Sequence, residues 1–348
     1  MRKIRTLPAV IIAVVIVLSA SPVMSAKSGQ YNMKVGSYVT PQSVWGKAVS
    51  KALKAVNKRT GGNVKVKHLH SGMLGSGKNM LDQVLIGGIQ GAGVETAILS
   101  TMVPQVSILE LPYLFRDREE AYFLIDNVIM PEISSLLNKK GIVASSIIEN
   151  GFMDFVMSGP VRTPADLKTM KIGSWESPVH IAFWKSQGAV PIPIPATEVF
   201  NAYARGMVDS GANSASALMA WDKLFGVGLK RDRIYITRSA FTYHAGLLVL
   251  NRDYYNSMPE EYRKILKEEL DKFTVKLREE LAEAEEPSYS HLAQLGYHVG
   301  EMTESEREVF VKNSESVYEE MKEEIGAEFL EKVLEERKKY RARKDGGN

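Results

Sequence analysis

The sequence predicts an exported α/β protein built in two successive blocks. Three observations carry that prediction: a leader-like N-terminus, strand and helix patterns that alternate along the rest of the chain, and a restart of the alternation near Gly151. A chain of 348 residues has room for about two domains of roughly 150 residues each. Hydrophobic residues at 45% and charged residues at 24% are ordinary for a soluble globular protein and do not suggest a disordered chain, a collagen repeat or a multi-span membrane protein.

"MRKIRTLPAVIIAVVIVLSASPVMSA" opens with Arg2, Lys3 and Arg5 and continues into an apolar run from Leu7 to Ala20. Small residues follow, with Val23 and Ser25 placed for cleavage. This is the pattern of a secretory signal peptide over residues 1–26. The run is short against the roughly 20 residues a spanning helix needs. The chain has no cysteine, so neither lipid attachment nor disulfides are expected. Loss of the leader removes three basic residues and no acid, so the formal charge of +3 falls by three to zero. A neutral mature chain argues against nucleic-acid binding, which needs an excess of Lys and Arg.

The elements follow in order. "YNMKVGSYV" reads as a strand. Val44, Trp45, Ala48, Val49, Ala52, Leu53 and Val56 recur on one helical face, which Gly61-Gly62 ends. "VKVKHL" alternates like a half-buried strand. A helix near 79–87 and an apolar strand near 91–98 complete a βαβ rhythm, which implies a largely parallel sheet. In the second block "KIGSW" reads as a strand and "SPVHIAFWKSQG" as a helix closed by Gly188. "AVPIPIP" is extended by its prolines. "ATEVFNAYARG" is a helix and "MVDSGAN" a strand. "AGLLVLN" is an apolar strand, followed by a long helix capped by Ser257 and Glu260 and stopped near Pro287. The Glu- and Lys-rich stretch from 303 ends in "RKKYRARK", expected as a solvated, frayed tail.

Motifs for catalysis are sparse. Gly72, Gly77 and Lys78 have the spacing of a phosphate loop, but Asn79 stands where magnesium needs a Ser or Thr hydroxyl. His68 and His70 share a strand face, and nothing nearby completes a metal set. There is no H-E-x-x-H, no G-x-S-x-G and no cysteine nucleophile. The expectation is a protein that is not an enzyme and needs no cofactor.

Four stretches are similar to the periplasmic solute-binding proteins of tripartite ATP-independent periplasmic (TRAP) transporters, the DctP-like family. They are "KHLHSGMLGSGKNMLDQVLIG", "ILELPYLFRDREEAYFLID", "PVRTPADLKTMKI" and "ESPVHIAFWKSQGAVPIPIPATEVFNAYARGMVDS", and the resemblance runs from about 33 to 270 in order. It implies a two-lobed, hinge-connected periplasmic binding protein fold with a long helix spanning both lobes. Lobe I is expected from 27–150 plus 239–278, and lobe II from 151–238 plus 279–348. The implied function is capture of a small organic solute, an organic acid by family habit, in the periplasm, and its delivery to a membrane permease. A monomer is expected. Other readings are a receptor feeding a sensor or chemoreceptor, and an exported hydrolase.

The chain departs from the family where the ligand is held. Family members carry an arginine in K-I-R and often another after N-G-F, and these pair with a substrate carboxylate. Here Gly173 and Met153 occupy those places. Trp175 stands where the family has Pro, and Ala196 where it has an aromatic ring before Glu198. The expected pocket is therefore rebuilt for a larger, apolar or aromatic, weakly charged solute. Asn213 matches a ligand-contacting asparagine of the family. Tyr38 and Gln42 lie at the first strand-to-helix exit, the usual crevice of an α/β sheet. Glu95 follows the third strand and is placed to accept a hydrogen bond from an amine or hydroxyl. Trp221, on an expected helix, is read as packing.

Overall fold

The structure, a computed structural model, describes residues 30–194, 198–226 and 229–346. The leader at 1–26 and Ala196 lie outside the described residues.

Alternating apolar residues give β1 (Tyr31–Gly36) and β2 (Val64–Leu69), joined by α1 (Val44–Arg59), whose Trp45, Val49, Leu53 and Val56 are buried. The stretch with phosphate-loop spacing is a tight turn: Gly72 and Gly75 take positive φ, and α2 (Gly77–Leu85) starts with Ser76 accepting from Asn79 N at 3.2 Å. Lys78 pairs with Asp82 on the outer surface. β3 (Gly91–Glu95) is shorter than expected, because the chain turns into α3 (Thr96–Ser100) at Thr96. A 3₁₀ helix (Pro104–Glu110), α4 (Arg118–Leu124), a π turn (Ile125–Ile129) and α5 (Met130–Lys139) lead to β4 (Ile142–Met157). The second block supplies β5 (Lys171–Ser174), α6 (Pro178–Ser186), β6 (Val190–Pro193), α7 (Val199–Ala204), β7 (Ser210–Asn213) and α8 (Ala215–Phe225). Then come β8 (Tyr235–Asn251), α9 (Arg252–Ser257), α10 (Glu260–Gln294), β9 (His298–Glu301), α11 (Glu304–Ile325) and α12 (Ala327–Asp345).

The described strands form one nine-stranded sheet in the order β2-β1-β3-β8-β4-β7-β5-β6, with β9 on β8. β1, β2 and β3 are parallel in one half, and β5, β6 and β7 in the other. The antiparallel pair β4–β8 connects the halves over its whole length, and its register shifts three times. One shift sits at Gly151, whose φ of +82° favours glycine. The bulge there lets the two long strands slip past each other by one residue.

α10 is the spanning helix, 35 residues or about 52 Å long. Leu270, Phe273 and Leu277 pack in a core with Trp45 of α1, while Tyr289 and Leu292 pack in another with Leu218 of α8. The helix does not stop at Pro287. The proline removes one backbone donor, but burial of Leu281 before it and Tyr289 after it holds the axis, and the Ser288 hydroxyl donates to Ala284 O at 2.6 Å. The expected Ser257–Glu260 capping box is also absent: Ser257 closes α9 by donating to Tyr254 O, and Pro259 begins α10.

Three residues after Gly151 lies a buried carboxylate, Asp154. Asp154 accepts from Ala240 N at 3.1 Å and from the Tyr289 hydroxyl of α10. Burial, only partly offset by these bonds, lifts its pKa to about 7. Because the folded pKa lies above the unfolded one, this group favours folding below about pH 4 and loses that contribution as pH rises towards 7. Asp154→Asn is therefore expected to lose less melting temperature than the parent between pH 5 and pH 8, measured by thermal denaturation. Parallel losses in the two proteins would show that Asp154 does not titrate in this way.

The C-terminal basic run is not frayed. It forms α12, and Arg341 makes two bonds to Glu120, a carboxylate with no solvent exposure, at 2.7 and 2.9 Å. Arg337 donates to Leu114 O, and Tyr318 of α11 donates to Pro112 O. These partners lie more than 200 residues away in sequence, beyond the reach of local charge patterns. Arg341→Ala should cost about 2 kcal/mol by leaving a buried carboxylate without its cation, discounted for the partial exposure of Arg341. Lys344→Ala, at an exposed pair, should leave the urea midpoint unchanged; equal effects would contradict this division.

Candidate functional site

Parallel strands leave their C-terminal ends open, and loops there can reach a common crevice. Tyr38 follows β1, Glu95 ends β3, and Trp175 follows β5, so the two halves of the sheet each send residues to the same region. Tyr38, Glu95 and Trp175 are all half-buried. The Tyr38 phenol lies close enough to the Glu95 carboxylate and the Asn150 amide for both to act on its ionisation. Asn150 Nδ2 in turn lies 2.8 Å from His244 Nδ1. The Trp175 indole sits between two imidazoles, with ring centroids 4.3 Å from His244 and 4.0 Å from His180. A chain of contacts thus runs from Glu95 through Tyr38, Asn150 and His244 to Trp175 and His180.

Glu110 ties the halves together beneath this chain. Thr96 Oγ1 of α3 donates to one of its oxygens at 2.5 Å, and Ser177 Oγ, which caps α6, donates to the other.

Burial sets the protonation states. It lifts Glu95 to about 7; the Tyr38 bond opposes the rise, and the nearby charges of Glu110 and Glu176 add to it. Burial raises Glu110 as well, against its bonds from Ser177 and Thr96. It lowers His244 to about 4, and it lowers His180 well below the usual imidazole range with help from His244. Both imidazoles are neutral at pH 7. The Tyr38 phenol is raised, first by burial and then by Glu95. The region offers an indole face, neutral imidazoles and carboxylates.

The other expected residues are placed differently. Gly173 is buried on β5 opposite Ile192, two residues before Trp175. Met153 is 2% exposed and packs in the main core. Gln42 is exposed on the turn before α1 and makes no hydrogen bond among the described residues. Asn213 ends β7 opposite Asp154 and lines a small apolar cavity of about 50 Å³ with Val156, Tyr203, Leu218 and Ile234. It makes no hydrogen bond to Tyr38, Glu95 or Trp175 among the described residues. Glu198 is exposed at the start of α7, and Trp221 is half-buried on α8. His68 is engaged by Ser37 Oγ at 2.8 Å.

Sequence reasoning missed Asn150, Glu110, His180 and His244. Three of them had a faint signal. His180 and His244 are polar residues inside apolar segments, "PVHIAFW" and "YHAGLLVL", and Glu110 interrupts "SILELP".

Comparison with known proteins gives a consistent set of relatives. A family profile described as "Bacterial extracellular solute-binding protein, family 7" matches residues 35–324. A solute-binding protein of Verminephrobacter eiseniae is 30% identical over 235 residues, 67% of this chain and 68% of its own. The 2,3-diketo-L-gulonate-binding periplasmic protein YiaO of Escherichia coli is 28% identical over 217 residues, 61% of this chain and 63% of its own. Among solved structures, a TRAP periplasmic solute-binding protein of Ralstonia eutropha H16 with bound (S)-2-acetolactate superposes with a TM-score of 0.80. It is 27% identical, and the match covers 88% of this chain and 99% of that one.

Proposed function

We propose, because the chain belongs to the bacterial extracellular solute-binding proteins of family 7, that its Tyr38–Glu95–Trp175 crevice is where it captures its solute. The family's periplasmic members serve TRAP transporters, and this chain is the solute-binding component of such a system, which delivers a small organic solute to membrane permease subunits. The fold is the family's two-lobed one. Among the described residues no helix is long and apolar enough to cross a membrane.

The observation that supports the crevice is convergence: residues after β1, β3 and β5 meet although they come from both halves of the sheet. A solute that touches both lobes there favours the closed state by the contacts it makes only in that state. The lobes we assign are 27–150 plus 239–278 and 151–238 plus 279–348, with the pivot at Gly151. We further propose that residues 1–26 are a cleaved leader, that the mature chain is a monomer, and that it binds without turnover. With Gly173 and Met153 at the two positions that carry arginine in relatives, the proposed solute has an apolar or aromatic body and little negative charge.

A thermal-shift screen of small carboxylates, aromatic acids and neutral metabolites tests this. A captured solute in large excess over its dissociation constant should stabilise the protein by about 3–4 kcal/mol. Largest shifts from small dicarboxylates would contradict the rebuilt crevice.

A further inference from the structure

We propose that the solute is recognised through a positively charged nitrogen, received by the Glu95 carboxylate, while its apolar body lies against Trp175. This rests on the solute-capture reading above and names the chemical class of the solute.

The carboxylates of the crevice are not equivalent. Both oxygens of Glu110 are taken by Thr96 and Ser177, so that residue has a structural role. Glu95 is half-buried at the end of β3, and the Tyr38 hydroxyl is the one donor that acts on it. An ionised carboxylate has about four acceptor sites, so one donor leaves most of that capacity for a ligand. The charged groups that act on it from the surrounding elements are Glu110 and Glu176, both negative. Neither a lysine nor an arginine is among the groups that act on Glu95. A carboxylate solute placed here would join three carboxylates, Glu95, Glu110 and Glu176. A cation would relieve the repulsion already present.

A second observation points the same way. His180 is 2% exposed and its Nε2 has no hydrogen-bond partner. Buried polar atoms are seldom left unpaired, and such an atom beside a crevice marks a place for a ligand group. His180 is itself neutral, and in the tautomer with its proton on Nδ1 its Nε2 can accept from an N–H of the solute. The His180 ring lies with its centroid 4.0 Å from that of Trp175, tilted by 47°. The indole face attracts both flat apolar rings and cations. The departure from an organic acid is therefore a matter of local charge: two acceptors, one aromatic face and no guanidinium.

The test uses matched head groups. An ammonium, a carboxylate and a hydroxyl are each carried on phenylethyl, butyl and imidazolylethyl bodies, and binding to the purified protein is measured by isothermal titration at pH 8. At least one ammonium compound should bind about tenfold or more tighter than its carboxylate and hydroxyl counterparts. Glu95→Gln should weaken that ammonium compound by about thirtyfold or more and leave the hydroxyl compound unchanged. The unliganded variant should melt no lower than the parent, because a buried charge has been removed. If that variant does not fold, Tyr38→Phe, which keeps the Glu95 charge, should retain the ammonium preference. Carboxylates binding as tightly as ammonium compounds would overturn the proposal and leave solute capture standing. Binding of none of the nine compounds would overturn both.

Discussion

Gly173→Arg is expected to invert the head-group preference of the crevice. Strand alternation puts position 173 on the same face as position 175. Trp175, just beyond the end of β5, contacts His180 and His244. A guanidinium there would offer a planar fork matched to a carboxylate, and it would repel a cationic solute while pairing with Glu95. Affinity for the ammonium compound should fall by about a hundredfold, and its carboxylate counterpart should gain binding that the parent lacks. Titration of both compounds into both proteins measures this. A change within about threefold for the ammonium compound would mean that position 173 does not face the solute.

Arg278→Met is expected to give the largest loss of stability of any single change considered. Arg278 of α10 donates through Nε to Glu149 at 2.8 Å and through both terminal nitrogens to Asp126 at 2.6 and 2.8 Å. Glu149 is 1% exposed, and its other oxygen accepts from the Tyr243 hydroxyl at 2.5 Å. The Arg278 guanidinium also lies over the Tyr122 ring at 4.2 Å. Removing the cation leaves a carboxylate buried two residues from the Gly151 pivot, and breaking such a pair costs about 3–5 kcal/mol. Burial already raises Glu149, with Arg278 holding it down. Without Arg278 the carboxyl should take up a proton, so the variant should regain stability as pH falls, whereas a pure packing defect would be indifferent to pH. Melting curves at pH 5 and pH 8 separate the two, and Arg278→Met combined with Glu149→Gln should recover part of the loss.

Much of the fold was legible because it rests on local signals. The face of α1 from Trp45 to Val56, the alternation in "VKVKHL" and the stop at Gly61-Gly62 all reappear as elements. The spanning helix was legible from its stripe of Leu266, Leu270, Phe273 and Leu277, but its end was not. A proline predicts a break from local geometry alone, and here the packing of Leu281 and Tyr289 on either side decides otherwise. The same holds for "RKKYRARK", whose docking depends on Glu120, a residue 221 positions before Arg341. Of the residues in the proposed crevice, Tyr38 and Glu95 were named from strand ends, where α/β sheets bind, and Trp175 from its departure from the family pattern beside Gly173. Asn150, His180 and His244 could not, because what matters is their meeting, and that is set by the β4–β8 crossing and the start of α6. The apparent phosphate loop shows the converse: the spacing at Gly72 and Gly77 is met by a strand-to-helix turn with Lys78 bonded to Asp82.

The central claim is that one solute molecule is held at Trp175 and Glu95 and released unchanged. Native mass spectrometry of the purified protein with the best-bound compound tests it directly. The account predicts a monomer carrying one solute molecule, a complex lost in Trp175→Ala and in Glu95→Gln, and a released compound of unaltered mass. A complex that survives both substitutions, or a released product of different mass, would contradict it.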